Sequence, residues 1–263
     1  MKREIVVAML SIATFGTSAA WPVNVIFRHD YVVPGGESYE SVTVHEAPGE
    51  RTTIEFYGQA DYLSMHDSST LNLHEGGKFE SFGDGQSRLY DSSTLNVFEG
   101  AAIGAGSAAS LNIYDSSTLN IYGGMVELLF CAHDSSTINL YDGSLGLLAG
   151  VADNSILNVY GGSIDVFLSN ISVSPTATVN IYGSDFEYRA HGRWMPPITG
   201  DDEGWWVSHL TGYGFDGDSM TLWGLPDPDT HDNINLIPEP GTLLLLGLGS
   251  AALLTVGGRG LAC

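Results

Sequence analysis

From Thr118 to Tyr122 apolar and polar positions alternate strictly: Leu119 and Ile121 fall on one side of an extended chain, Asn120 and Tyr122 on the other. That period of two predicts a β-strand with one buried face. The pattern returns as DSSTLNLHEGG around Asn72, DSSTLNVFEG around Asn96, DSSTLNIYGG around Asn120, DSSTINLYDG around Asn139, DNSILNVYGG around Asn158 and PTATVNIYG around Asn180. Successive asparagines of this set lie 24, 24, 19, 19 and 22 residues apart. A period of about twenty residues with no helical or leucine-rich pattern predicts a β-solenoid in which each repeat makes one coil. Pairs such as Gly123-Gly124 and Gly161-Gly162 suit a tight corner after the strand. A second short run follows, as in SIDVFL from Ser163 to Leu168, and a turn then leads to the next repeat. The expected fold is all-β: a parallel β-helix of about seven coils with two or three strands each, about 35 Å long at ~4.8 Å per rung.

Parallel stacking sets equivalent residues one above another. Leu71, Leu95, Leu119, Ile138, Leu157 and Val179 are then expected to line one interior row, and Val97, Ile121, Leu140, Val159 and Ile181 the next. The segment from Trp21 to Tyr62, with its strand-like YESVTVHE and RTTIEFYG, the latter a degenerate rung of the repeat, is expected to cap the open N-terminal end, so that 21–188 form a capped solenoid. Residues 189–226, rich in Trp and Pro, are expected to form a C-terminal β hairpin cap that blunts the sheet edge. Residues 227–236, which begin with DPDTHDNI, read as a linker.

Composition agrees with a turn-rich extracellular β protein: 33 glycines, and only nine Lys plus Arg against 31 Asp plus Glu in 263 residues. A net charge of -22 opposes binding to nucleic acid, whose phosphates need clustered basic side chains, and to anionic membrane surfaces. Residues 1–20 have the order of a secretory signal peptide: Lys2 and Arg3, an apolar run from Ile5 to Phe15, then Thr17-Ser18-Ala19-Ala20 for signal peptidase. Cys131 and Cys263 imply no disulfide framework, and Cys131 reads as a small interior residue.

Residues 237–263 differ again. Pro238-Glu239-Pro240 is extended, and the apolar run Leu243 to Val256 reads as a helix suited to transient membrane insertion, with Arg259 the only charge after Glu239. With a signal peptide at the other end, this tail resembles the PEP-CTERM sorting signal of Gram-negative, exopolysaccharide-producing bacteria. Pro238, Glu239 and Pro240 match the family's motif, Leu243 to Val256 its transmembrane stretch, and Arg259 stands where the family usually carries a basic cluster. The resemblance implies recognition and cleavage by the membrane protease exosortase, and display at the cell surface or in the extracellular matrix. Repetitive coils ahead of such a tail also resemble surface proteins of planctomycete-like bacteria.

Two columns are candidates for chemistry. Asp67, Asp91, Asp115, Asp134 and Asp153 would stack at one corner, either as Asx-turns accepting the following backbone N–H groups or, less simply, as a Ca²⁺ ladder. His74, Phe98, Tyr122, Tyr141, Tyr160 and Tyr182 would form an outward column beside the asparagines, either stiffening the stack or offering flat faces to a sugar chain. No cofactor is implied and no residue stands out as catalytic. The expectation is a non-catalytic structural or adhesive protein, with possible exopolysaccharide contact. The alternative is a polysaccharide lyase or glycoside hydrolase on the same scaffold, an idea resting on fold analogy.

Overall fold

The computed structural model describes residues 23–80, 86–104, 110–127, 129–146, 148–165, 172–195, 205–214, 218–223 and 232–238. All regular structure in these residues is β. The chain enters at β1 (Val23–Phe27), crosses β2 (Tyr31–Val33) into β3 (Ser38–Val44), and repeats the circuit through β4 (Thr53–Phe56) and β5 (Gln59–Met65). Two coils of three separate strands follow: β6 (Thr70–Leu73), β7 (Lys78–Phe79) and β8 (Gln86–Leu89), then β9 (Thr94–Val97), β10 (Ala102–Ile103) and β11 (Ser110–Ile113). Next come β12 (Thr118–Val126) with β13 (Leu129–Ala132), and β14 (Thr137–Gly146) with β15 (Leu148–Val151). The last regular coil is β16 (Ile156–Val159), β17 (Ser163–Asp165) and β18 (Ser172–Val173).

Every coil adds one parallel rung to each of three faces, making a three-sided β-solenoid. Face A stacks β2, β4, β6, β9 and the first halves of β12 and β14, then β16. Face B stacks the starts of β3 and β5, then β7, β10, the ends of β12 and β14, and β17. Face C stacks β1, the ends of β3 and β5, then β8, β11, β13, β15 and β18.

The expected interior rows form in the expected register. Leu71, Leu95, Leu119, Ile138, Leu157 and Val179 pair rung to rung, as do Val97, Ile121, Leu140, Val159 and Ile181, and all have 0 % exposure. Each such side chain contributes roughly 1.5–3 kcal/mol through burial, and only because a neighbouring coil covers it.

The ends depart from expectation. In the Trp21 to Tyr62 segment RTTIEFYG supplies the expected rung as β4, but the rest of the described part is no separate cap, for β1–β3 and β5 also belong to regular coils: Val42 and Val44, like Ile54 and Phe56, are fully buried in the same alternation as the later repeats. The first coil is closed by aromatic contacts, with the Phe27 and Tyr31 rings 5.2 Å apart and Tyr39 edge-on to Phe27 at 6.5 Å. At the other end β19 (Thr178–Met195) starts as a face A rung and runs on into an antiparallel meander with β20 (Trp205–Tyr213) and β21 (Ser219–Trp223). The hairpin therefore begins before residue 189, within one unbroken strand. β21 returns to face B by pairing with β17, with its own Met220 and Leu222 and Leu210 of β20 buried.

The expected linker 227–236 is also corrected at its end. Ile234, Asn235 and Leu236 belong to β22 (Ile234–Pro238), which pairs in parallel with β19 as the last rung of face A. Its alternation of Ile234 inward and Asn235 outward copies the repeat, though no Asp-Ser-Ser turn announces it. Cys131 is likewise not interior: it sits half-buried at an outward register position between Asn112 and Gly150, and burial pushes its thiol pKa up. The signal peptide, the helix from Leu243 to Val256, and Glu239, Pro240 and Arg259 lie outside the described residues.

Candidate functional site

The aspartate column stands at the corner between faces C and A, built by a tight turn. In the Tyr114–Ser117 turn the Ser117 N–H donates to the Tyr114 carbonyl at 3.1 Å and the Ser117 hydroxyl to the same oxygen at 2.5 Å. Asp67, Asp91, Asp115, Asp134 and Asp153 all take left-handed backbone, with φ between 55° and 61°. Asp tolerates that region better than most side chains, which explains its place in the repeat. The carboxylates do not make the expected Asx-turns. Each accepts instead from the rung before: Asp67 N–H donates to Asp91 at 2.9 Å, Asp91 N–H to Asp115 at 2.9 Å, and Asp115 N–H to Asp134 at 3.1 Å. Backbone N–H groups thus offset part of the repulsion along the column. Among the described residues no group of three His, Cys, Asp or Glu converges as metal ligands would. A chelator is accordingly expected to leave the thermal midpoint unchanged, a calorimetric scan with and without it being the check.

Outward on face A the asparagines form one continuous hydrogen-bonded ladder. Asn72, Asn96, Asn120, Asn139, Asn158, Asn180 and Asn235 each donate Nδ2 to the preceding rung, over 2.8–2.9 Å. The series ends on the Oε1 of Glu55, which can only accept when ionised. This fixes the orientation of Asn72 and, through it, every amide above. The aligned amide dipoles point their positive end at that carboxylate, so the series is polarised cooperatively. Asn120→Asp is expected to be destabilising by about 1–3 kcal/mol, since it removes one donor and sets a charge among aligned amides. Urea unfolding compared with Asn120→Ser, which keeps a small polar group, measures it.

Beside this ladder the predicted aromatic column is complete and longer than expected. Tyr57, His74, Phe98, Tyr122, Tyr141, Tyr160 and Tyr182 stack ring on ring, with centroids 4.5–5.3 Å apart and planes within 14°. His74 also bonds to Glu55, so one carboxylate closes both ladders. The stacking has a chemical consequence. Each ring covers its neighbour's face, leaving ring edges and hydroxyls toward solvent, so the column does not offer flat faces to a sugar. Burial, and secondarily the neighbouring Tyr141, raises the Tyr122 pKa, and burial likewise raises that of Tyr160.

A second aromatic ladder, missed by the sequence reading, runs along the aspartate corner: His45, His66, Tyr90, Tyr114 and His133, with centroids 4.4–5.3 Å apart. Its signal was available, because each of these residues directly precedes an Asp or Glu at the turn. The mixture of His and Tyr hid it. Burial foremost, then the stacked His45, hold the His66 pKa below its ordinary 6.5, against the opposing pull of Asp91 and Asp67. The folded state therefore binds fewer protons at this site than the unfolded chain. Stability is expected to fall as pH drops through about 6.5 and on to the lowered folded value, and the loss should shrink in His66→Tyr, which copies the Tyr90 rung. Urea midpoints at about pH 7.5 and pH 5 for both proteins test this.

These elements define the class of the molecule as a three-sided parallel β-solenoid with polar and aromatic ladders on its outer faces. Comparison with protein-family models, curated proteins and solved structures finds no match to this chain. Of the sorting residues, Pro238 ends β22, opposite Gly183.

Proposed function

We propose that this chain is an exported, non-catalytic scaffold of the bacterial cell surface or exopolysaccharide matrix, carried out by its N-terminal signal and sorted through its Pro-Glu-Pro tail by an exosortase. The observation that carries the scaffold reading is the asparagine ladder, in which the repeated polar group of face A bonds rung to rung from Glu55 to Asn235. The aspartates support it in the same way. Successive members of the column accept equivalent hydrogen bonds, so none is distinguished as an acid or base for glycosidic bond cleavage. The sorting half rests on the tail's resemblance, and Pro238 at the end of β22 means that a cut beyond it leaves the last rung whole.

Two experiments test the proposal. Incubation with a panel of polysaccharides should release no oligosaccharide, and released fragments or unsaturated ends would replace the scaffold with an enzyme. The mature protein from its native host should have a C-terminal mass ending near Pro240. An exported form still carrying Cys263 would remove the sorting step.

A further inference from the structure

We propose that face A is a docking track for an uncharged, extended polysaccharide lying along the solenoid axis and held by hydrogen bonds to the Thr, Asn and Tyr rows. The inference rests on the matrix reading and assigns it a ligand class and a surface.

The strip carries no charged side chain. From β9 to β19 the outward residues of successive rungs are Thr94, Asn96 and Phe98, then Thr118, Asn120 and Tyr122, then Thr137, Asn139 and Tyr141. Ile156, Asn158 and Tyr160 follow, then Thr178, Asn180 and Tyr182. None is ionised at neutral pH, although the protein carries a net charge of -22. The aspartate column borders one side, and on the other Glu99 and Asp142 follow the aromatic ladder, with glycine at the remaining rungs. Such margins repel an anionic glycan and equally a second copy of this face, but leave a neutral polymer unopposed.

Hydrogen-bonding capacity and spacing fit the same ligand. Each Asn amide has two N–H groups, and the ladder uses one per rung. Tyr122 and Tyr141 are 41 % and 37 % exposed at the middle of the strip. Sugar hydroxyls both donate and accept, so they match a row that alternates amide and phenol. The rings repeat every 4.5–5.3 Å, a step close to the advance of one sugar in an extended β-linked chain, so one weak contact recurs on successive rungs. The mode is edge-on hydrogen bonding, because the ring faces are covered.

The test is co-sedimentation of the full chain with microcrystalline β-1,4-glucan, and affinity electrophoresis in soluble neutral β-glucan against alginate. The expected result is retention by the neutral glycans only. A Thr118→Glu, Thr137→Glu double variant should weaken it at least tenfold with an unchanged circular dichroism spectrum, whereas Ser110→Glu on face C should not. Retention by alginate alone, no retention at all, or equal loss from both variants would overturn the inference. Surface location in the host, measured separately, decides the matrix reading, so the two can fail independently.

Discussion

Leu119→Asp should abolish the cooperative unfolding of the solenoid. Leu119 has 0 % exposure and lies between Leu95 and Ile138 in the same interior row. Truncation to Ala alone is expected to cost about 2–5 kcal/mol, because transfer free energy is lost and the stacked coils cannot collapse into the gap. A carboxylate at that point adds the desolvation of a charge with no partner in an apolar row. Solenoid stability is roughly a sum of coil and nearest-neighbour terms, so damage to a central coil breaks both of its interfaces. Thermal unfolding by circular dichroism should show a lost or split transition for Leu119→Asp, a lowered single transition for Leu119→Ala, and little change for the outward Thr118→Ser. A native-like midpoint in Leu119→Asp would mean that the interior rows do not hold the fold.

Gly143→Ala is the second large effect, although it adds one methyl group. Gly143 takes φ 89°, in the left-handed region, and a Cβ there would lie 2.2 Å from the Gly124 carbonyl oxygen. The obstacle is backbone of the preceding coil, which cannot swing aside as a side chain would. Left-handed strain of about 1–2 kcal/mol and overpacking of about 1–3 kcal/mol together predict a loss of ~2–5 kcal/mol. The midpoint of chemical denaturation measures it. At Gly36, also left-handed but with nothing within 4 Å of the added Cβ, Ala should cost only the smaller conformational part. Equal losses at the two sites would show that coil-to-coil contact at this corner is not the cause.

Where a rung repeats its neighbours, the sequence was enough. The alternation at Leu119 and Ile121, the recurrence of the Asp-led turn and the Gly pairs specify strand, corner and register together, since parallel stacking demands that equivalent residues coincide. The interior rows and the outward aromatic column were legible for that reason. Rungs lacking the signature were misread. β1–β3 passed for a cap and Ile234 to Leu236 for a linker, because a strand without its turn motif is recognisable only from what it pairs with. The second ladder escaped because His and Tyr stack alike without resembling one another as letters.

By itself, then, the sequence determined an all-β coiled chain, the identity of its interior rows and the acidic, asparagine-rich character of its surface. These follow from local periodicity and composition. Only the tertiary structure decided what the repeated polar groups do. It turned each aspartate to the N–H of the preceding rung instead of its own turn, ran the asparagine amides in one direction from Glu55, and covered the tyrosine faces with one another. Hydrogen-bond partner and exposed edge are set by neighbours a full coil away, at a distance no local pattern encodes.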